Sequence, residues 1–278
     1  MEHTSPSRCY ALGAVSFLNA RPLVAHLLGE PRVRLEFAVP SMLAEWVRGG
    51  HVDAALVPVV DLVGDPPLRA VSDACLASDG ETLTVRVFTR VPPHRITRLA
   101  VDGDSHTSVV LAKLVWLEWF GYLPHTAPLD RDGPFANEDG VLLIGDKVIT
   151  MRPRGFAFEM DLGAAWHELT GLPFVYAVWA MRPDGDPGDL SRLLSGSRDA
   201  GIVRIEEISR VDAPAAGWPI EIARRYLTDY MDYRLTDRHR EGMALFLRKA
   251  VKGGLLGNPE EAHRRMDAAF PTGQDVPE

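Results

Sequence analysis

Apolar positions along the chain switch between two rhythms: short continuous or alternating runs, and stretches with helical spacing. That alternation predicts an α/β protein in which strands feed into amphipathic helices. The first unit shows it clearly. An apolar run through Val15 breaks at Ser16-Phe17-Leu18-Asn19 and restarts after Arg21 as PLVAHLL. Proline suits the first turn of a helix, where its missing N–H has no partner to lose. The reading is strand, tight polar turn, helix. VRLEFAVP then reads as a strand, SMLAEWVRGG as a helix capped by Ser41 and closed by Gly49-Gly50, and DAALVPVV as a buried strand. TLTVRVFTR alternates like a half-exposed strand, and RLAVD, GVLLIGDKVI and PFVYAVWAM are further strands. VVLAKLVWLEWF and DLGAAWHELTG are helices ending at Gly121 and Gly171, and from Asp189 onward the pattern is mostly helical. Residues 124–139 read as a loop and the tail after Phe270 as frayed.

Two places look like crossings between lobes: Val91-Pro92-Pro93-His94, and a return near residue 178. The expected fold is therefore α/β with two lobes. Residues 1–93 and 178–278 form a discontinuous first lobe that carries the C-terminal helices, and 94–177 form an inserted second lobe. A ligand belongs in the cleft between them, where strand ends and helix N-termini converge.

Composition narrows the field. With 46% hydrophobic and 24% charged residues, the 278-residue chain is ordinary for a globular protein large enough for two lobes. A net charge of −8 argues against nucleic acid as a partner. No run reaches the ~20 apolar residues of a membrane span. The apolar stretch CYALGAVSFLNA after Arg8 has a thin charge flank for a signal peptide, and cleavage near Ala20 would cut the polar turn. Two cysteines, Cys9 and Cys75, make no disulfide framework, so a reducing, cytoplasmic setting is expected. The histidines lack metal-ligand spacing, and no GxxxxGK[ST], GxGxxG or GxSxG occurs. Neither metal nor cofactor is expected, and the sequence assigns no oligomeric state.

What remains is polar strand–helix turns. Ser16, Asn19 and Arg21 surround one helix start, and Ser105-His106-Thr107-Ser108 open another. Backbone N–H groups and hydroxyls at such a place suit a carboxylate, although plain N-capping explains a single Ser or Thr equally well. Ser78 precedes Asp79-Gly80, which is common hairpin chemistry, and Thr84 and Arg86 share a strand face by the period of two. Arg86 is a candidate anion clamp or a surface ion-pair partner. Asp146 follows Gly145 at the end of a buried run, as a helix cap or a cleft carboxylate.

In order along the chain, VSFLNARPL, PSMLAEWVRGGHVDAALVPV, ASDGETLTVRVF, VDGDSHTSVVLAKL, VLLIGDKVI, DLGAAWHELTGLPFVYAVWA and YLTDYMDYRL resemble the chorismate dehydratases that open the futalosine route to menaquinone. The resemblance spans about residues 12–180 and weakens toward 250. It implies a fold like that of the type II periplasmic binding proteins and a cytoplasmic lyase. Such an enzyme removes water from chorismate, a small dicarboxylate, to give 3-[(1-carboxyvinyl)oxy]benzoate. On that resemblance Ser105, Thr107 and Ser108 hold one carboxylate, Ser78, Thr84 or Arg86 assist at the other, and Asn19 touches the reacting ring. His106, Asp146 or the substrate's own enolpyruvyl carboxylate takes the proton. His106 stands where the family pattern usually has Arg, and Thr84 where it often has Ser. Two rival expectations share the clamshell: a small-anion solute-binding protein without chemistry, and the sister 1,4-dihydroxy-6-naphthoate synthases.

Overall fold

The computed structural model describes residues 8–129, 138–151 and 153–269. Its strands are β1 (Tyr10–Ala14), β2 (Val33–Phe37), β3 (Ala54–Pro58), β4 (Arg69–Ser78), β5 (Val85–Thr89), β6 (Arg98–Val101), β7 (His125–Pro128), β8 (Gly140–Ile144), β9 (Phe158–Asp161), β10 (Phe174–Met181) and β11 (Asp232–Arg234). They form two sheets, a six-stranded one ordered β11-β4-β10-β3-β1-β2 and a five-stranded one ordered β7-β6-β8-β5-β9. β1 pairs in parallel with β2 and β3, as strand–helix–strand units demand, whereas β10 runs antiparallel between β3 and β4. In the second sheet β6 is parallel to β7 and β8, and β5 is antiparallel to β8 and β9.

The chain changes sheets earlier than the prolines suggest. β5, which the sequence reading keeps in the first lobe, pairs wholly within the second sheet. Pro92 and Pro93 only turn the chain between β5 and β6 through the short 3-10 turn Pro93–Arg95. The crossing out lies between β4 and β5, over residues 79–84. Gly80 (φ 115°) and Leu83 (φ 66°) take left-handed backbone there, which few residues other than glycine adopt. The return comes before β10, which already belongs to the first sheet from Phe174.

Several local readings also shift. Ser41 does not cap its helix, which begins at Pro40 after an uncapped Val39. The Ser41 N–H instead donates to the Asp104 carbonyl across the lobes at 3.2 Å. The apolar run GVLLI is β8, but the following residues form the helix Asp146–Thr150, because Gly145 (φ 60°) turns the backbone sharply. His125–Pro128 is an edge strand rather than loop; residues 130–137 of that loop, and the tail from Phe270, lie outside the described residues.

The helix His106–Phe120 ties the lobes together. Val110, Leu111, Ala112, Leu114, Val115 and Trp116 are all buried, which leaves it little polar face. It packs against the turn Val59–Val63 and the helix Asp237–Lys252 as well as against β8. One apolar core therefore runs from Leu12 and Val57 of the first sheet to Val87, Leu99 and Leu142 of the second. No helix among the described residues is long and apolar enough to cross a membrane.

Candidate functional site

Between the sheets lies a pocket with about 570 Å³ of space, part of it open to solvent. Its walls come from both lobes at the ends of strands. Val15, Phe17 and Asn19 follow β1, Leu56 and Pro58 end β3, and Leu76, Tyr176 and Ala177 come from β4 and β10. Thr82, Thr84 and Val85 come from the crossing segment, Ile144 and Gly145 from the end of β8, and Ser105 and Ser108 from the start of the His106–Phe120 helix.

Of the residues expected at the site, Asn19, Thr84, Ser105 and Ser108 line this cavity. Asn19 is the middle residue of the short turn Leu18–Ala20, and its side-chain carbonyl oxygen is buried without a hydrogen-bond partner. Ser105 caps the helix, its Oγ accepting the Ser108 N–H at 3.3 Å and lying 3.0 Å from the Ser108 Oγ. The positive end of a 15-residue helix is thereby presented at the cavity wall with two hydroxyls. The Thr84 hydroxyl is 2.7 Å from the Tyr226 hydroxyl, both residues being fully buried.

The remaining candidates do not line the cavity, and all but the exposed Ser16 have a structural partner. Arg86 is an ion-pair partner, not an anion clamp: it meets Glu81 and Glu159 and lies 3.4 Å from Asp161. Thr84, which stands just before β5, lines the cavity, and Arg86 does not. His106 is on the outside of the helix start, half-exposed, with Nδ1 2.9 Å from the Asp61 carboxylate. That hydrogen bond raises its pKa. Arg21 pairs with Asp212 at 3.4 Å, and Ser16 is exposed. Thr107 is buried and accepts the Val60 N–H at 3.4 Å, another tie between lobes. Ser78 stands behind the wall, 3.2 Å from the Tyr176 hydroxyl. Asp146 accepts from the Trp218 indole at 2.9 Å and the Leu18 N–H at 3.5 Å, and burial pushes its carboxyl pKa up.

Three site features escaped the sequence reading. Tyr176 was hidden inside an apolar strand; burial pushes its hydroxyl pKa well up, so it stays a neutral donor or acceptor. Tyr226 comes from a helical segment distant in sequence. Asp161 organises the crossing: its carboxylate accepts the Thr82 and Leu83 N–H groups at 3.0 and 2.8 Å while capping the next helix through Gly163 and Ala164. Gly163 makes this possible, since a Cβ there would lie 2.5 Å from the Gly80 carbonyl and 2.8 Å from the Tyr176 hydroxyl. The D-L-G order at a strand–helix junction carried that signal. Among the described residues lining the cavity there is no carboxylate, imidazole, amine or guanidinium.

A family model described as menaquinone biosynthesis matches residues 10–252. The chain belongs to that family. Within it, a chorismate dehydratase from Thermus thermophilus is 30% identical over 260 residues, 86% of this chain and 94% of the relative. Solved structures share the fold at lower identity. Protein AF1704 from Archaeoglobus fulgidus superposes with a TM-score of 0.71 at 17% identity, covering 90% of this chain and all of that one. The Candida albicans CA3427 product, described as having the generic periplasmic binding protein structural fold, gives 0.65 at 12% identity over 94% of this chain and 95% of its own. The menaquinone-family chain thus has the two-lobed periplasmic-binding-protein fold expected from its sequence.

Proposed function

We propose that the protein is a chorismate dehydratase working in the reducing cytoplasm, where Cys9 and Cys75 remain free thiols. One observation carries the reading: Asn19 from the first lobe and the Ser105–Ser108 helix start from the second line one uncharged pocket. A small dicarboxylate needs donors at separated points, and the helix start with its two hydroxyls supplies one such point. Thr82, Thr84 and Tyr176 supply hydroxyls on another wall. Phe17, Leu56, Leu76, Ile144 and Met231 provide apolar surface for the ring.

In the reaction the ring C–O bond to the hydroxyl breaks and the proton on the adjacent ring carbon leaves. The electron pair of that C–H bond becomes the last double bond of a benzene ring, and one water is released. Carbon is neither oxidised nor reduced overall, so the step calls for no redox cofactor. Aromatisation drives it, and the protein's task is orientation and stabilisation of the departing oxygen. Neither His106 nor Asp146 lines the cavity. The substrate's enolpyruvyl carboxylate, held beside the ring, is therefore the base, and Asn19 fixes the hydroxyl.

The test is direct. Purified protein incubated with chorismate should yield a benzenoid product lighter by one water, read by mass spectrometry and absorbance, with the cyclic substrate of the sister naphthoate synthases as control. Tight binding of chorismate with no product would replace this reading with the solute-binding one.

A further inference from the structure

We propose that Lys147 is a positioning residue: its ammonium, held between Asp102 and Asp104, fixes where the Ser105–Ser108 helix start stands in the pocket wall. The inference rests on the dehydratase reading for its kinetic consequence, while the placement rests on contacts within the protein alone.

β6 and β8 are parallel neighbours, so the loops that leave their C-terminal ends lie side by side. The Asp102 N–H donates to the Leu142 carbonyl at 3.2 Å, which extends the ladder by one bond into the first loop. That loop runs Asp102-Gly103-Asp104 and reaches Ser105, the cap of the His106–Phe120 helix. The second loop is short: Gly145 turns the chain and the helix Asp146–Thr150 begins, with Lys147 in its first turn. Lys147 spans the two loops. Its Nζ meets Asp102 Oδ2 and lies 2.9 Å from Asp104 Oδ2.

The Asp102 side chain is fully buried, and Lys147 is only 22% exposed. A carboxylate so placed needs a compensating charge, and this one receives it from a different loop. The same two aspartates order their own loop. The Asp104 N–H donates to Asp102 Oδ1 at 3.4 Å, and the Asp104 carbonyl accepts the Ser41 N–H from the other lobe at 3.2 Å. Residues 102 and 104 are therefore held from two sides, and the next residue is Ser105. Its Oγ accepts the Ser108 N–H, and both serines line the pocket. Lys147, Asp102 and Asp104 do not line it, so the ammonium acts through the loop and not on the ligand. A carboxylate bound at the helix start gains from donors that are already in place, because ordering them on binding would weaken it.

Lys147→Met removes the ammonium and leaves both carboxylates. On chorismate it should raise KM about 10- to 30-fold with kcat within about twofold, the pattern of weakened binding and not of lost chemistry. A readout independent of substrate is hydrogen–deuterium exchange, followed by mass spectrometry on the free protein. It should speed up over residues 102–109, where the Asp104, Ser108 and Val109 N–H groups are held by the loop and its cap. Leaving the buried carboxylate without its ammonium should also lower Tm by about 10 °C. Lys147→Met combined with Asp102→Asn separates placement from stability and serves if the single variant does not fold. The amide oxygen can still accept the Asp104 N–H, and no buried carboxylate is left at 102. This double variant should regain most of the Tm while KM stays high and exchange over 102–109 stays fast. Recovery of KM together with Tm overturns the proposal, since Lys147 would then only neutralise a buried charge. Unchanged KM or unchanged exchange in a folded variant overturns it as well. If the wild-type protein does not convert chorismate, the dehydratase reading falls, and exchange in the double variant alone decides the role of Lys147.

Discussion

Inside the cavity the polar groups are Asn19, Thr82, Thr84, Ser105, Ser108 and Tyr176, all neutral. In the shell around it Arg86 meets Glu81, Glu159 and Asp161, His106 meets Asp61, and Arg21 meets Asp212. The contrast follows from what burial costs. A neutral group can wait for a ligand at a cost of about 1–3 kcal/mol, whereas an unpaired buried charge costs several. The charges are therefore paired and hold the lobes and the crossing in place, while recognition is left to hydroxyls, one amide and one helix end. An anion entering such a cavity meets donors already oriented by the fold, with no protein ion pair to break first.

The comparison is broken most decisively at Asn19. Its replacement by Ala should lower kcat on chorismate by about 10²–10³-fold, the scale for losing one oriented polar group at a reacting oxygen, with KM little changed. Steady-state kinetics with retained thermal stability would check it. A variant with near-normal turnover removes Asn19 from the chemistry and with it the idea that the neutral interior does the catalysis.

Asp161 tests the shell. Asp161→Ala strips a helix cap, leaves the Thr82 and Leu83 N–H groups without their acceptor and releases Arg86. The expected loss is roughly 2–3 kcal/mol, a fall in Tm of roughly 5–10 °C. Turnover of the remaining folded protein should also drop, because Thr82 and Thr84 lose their anchor. Unchanged melting would mean that this charge cluster does not hold the crossing.

The same contrast explains what could be read from the residues alone. Periodicity shows the strand–helix units because apolar spacing is a local property, and the turns around Asn19 and Ser105 stand out because polar residues interrupt apolar runs there. Ionisable residues are harder. Arg86, His106, Arg21 and Asp146 look like chemistry in one dimension, and only the fold supplies Glu159, Asp61, Asp212 and Trp218 as their partners. The crossing was misplaced for a related reason. Prolines at 92 and 93 are strong punctuation, but the backbone that changes sheets depends on left-handed Gly80 and Leu83 and on Asp161, far along the chain. Tyr226 carries no local signal at all, since its hydroxyl partner is Thr84, far away in sequence.

A smaller effect is expected at the helix start. Ser108→Ala removes a cavity hydroxyl but not the helix cap, whose acceptor is Ser105. KM for chorismate should rise about 5- to 10-fold, equivalent to about one hydrogen bond, with kcat within about twofold. A fall in kcat instead would place Ser108 at the reacting atoms and blur the division between the carboxylate end and the Asn19 end.

The smallest effect is expected at His106, and its pH dependence gives the sign. The hydrogen bond to Asp61 raises the pKa of His106 in the folded state above its ordinary value near 6.5. A group of that kind binds its proton more tightly when folded. Its stabilisation is complete below the unfolded pKa and is lost as pH rises through the folded one. The side chain is 47% exposed, which limits the pair to under about 1 kcal/mol, or about 3 °C in Tm. Melting of His106→Asn against wild type should show its largest gap at acid pH, narrowing as pH rises through the folded pKa of the imidazole. Turnover should stay within about twofold across that range, because the imidazole lies outside the cavity. A large fall in kcat, with its acid limb displaced, would bring His106 into the proton transfer and end the separation of a neutral catalytic interior from a charged structural shell.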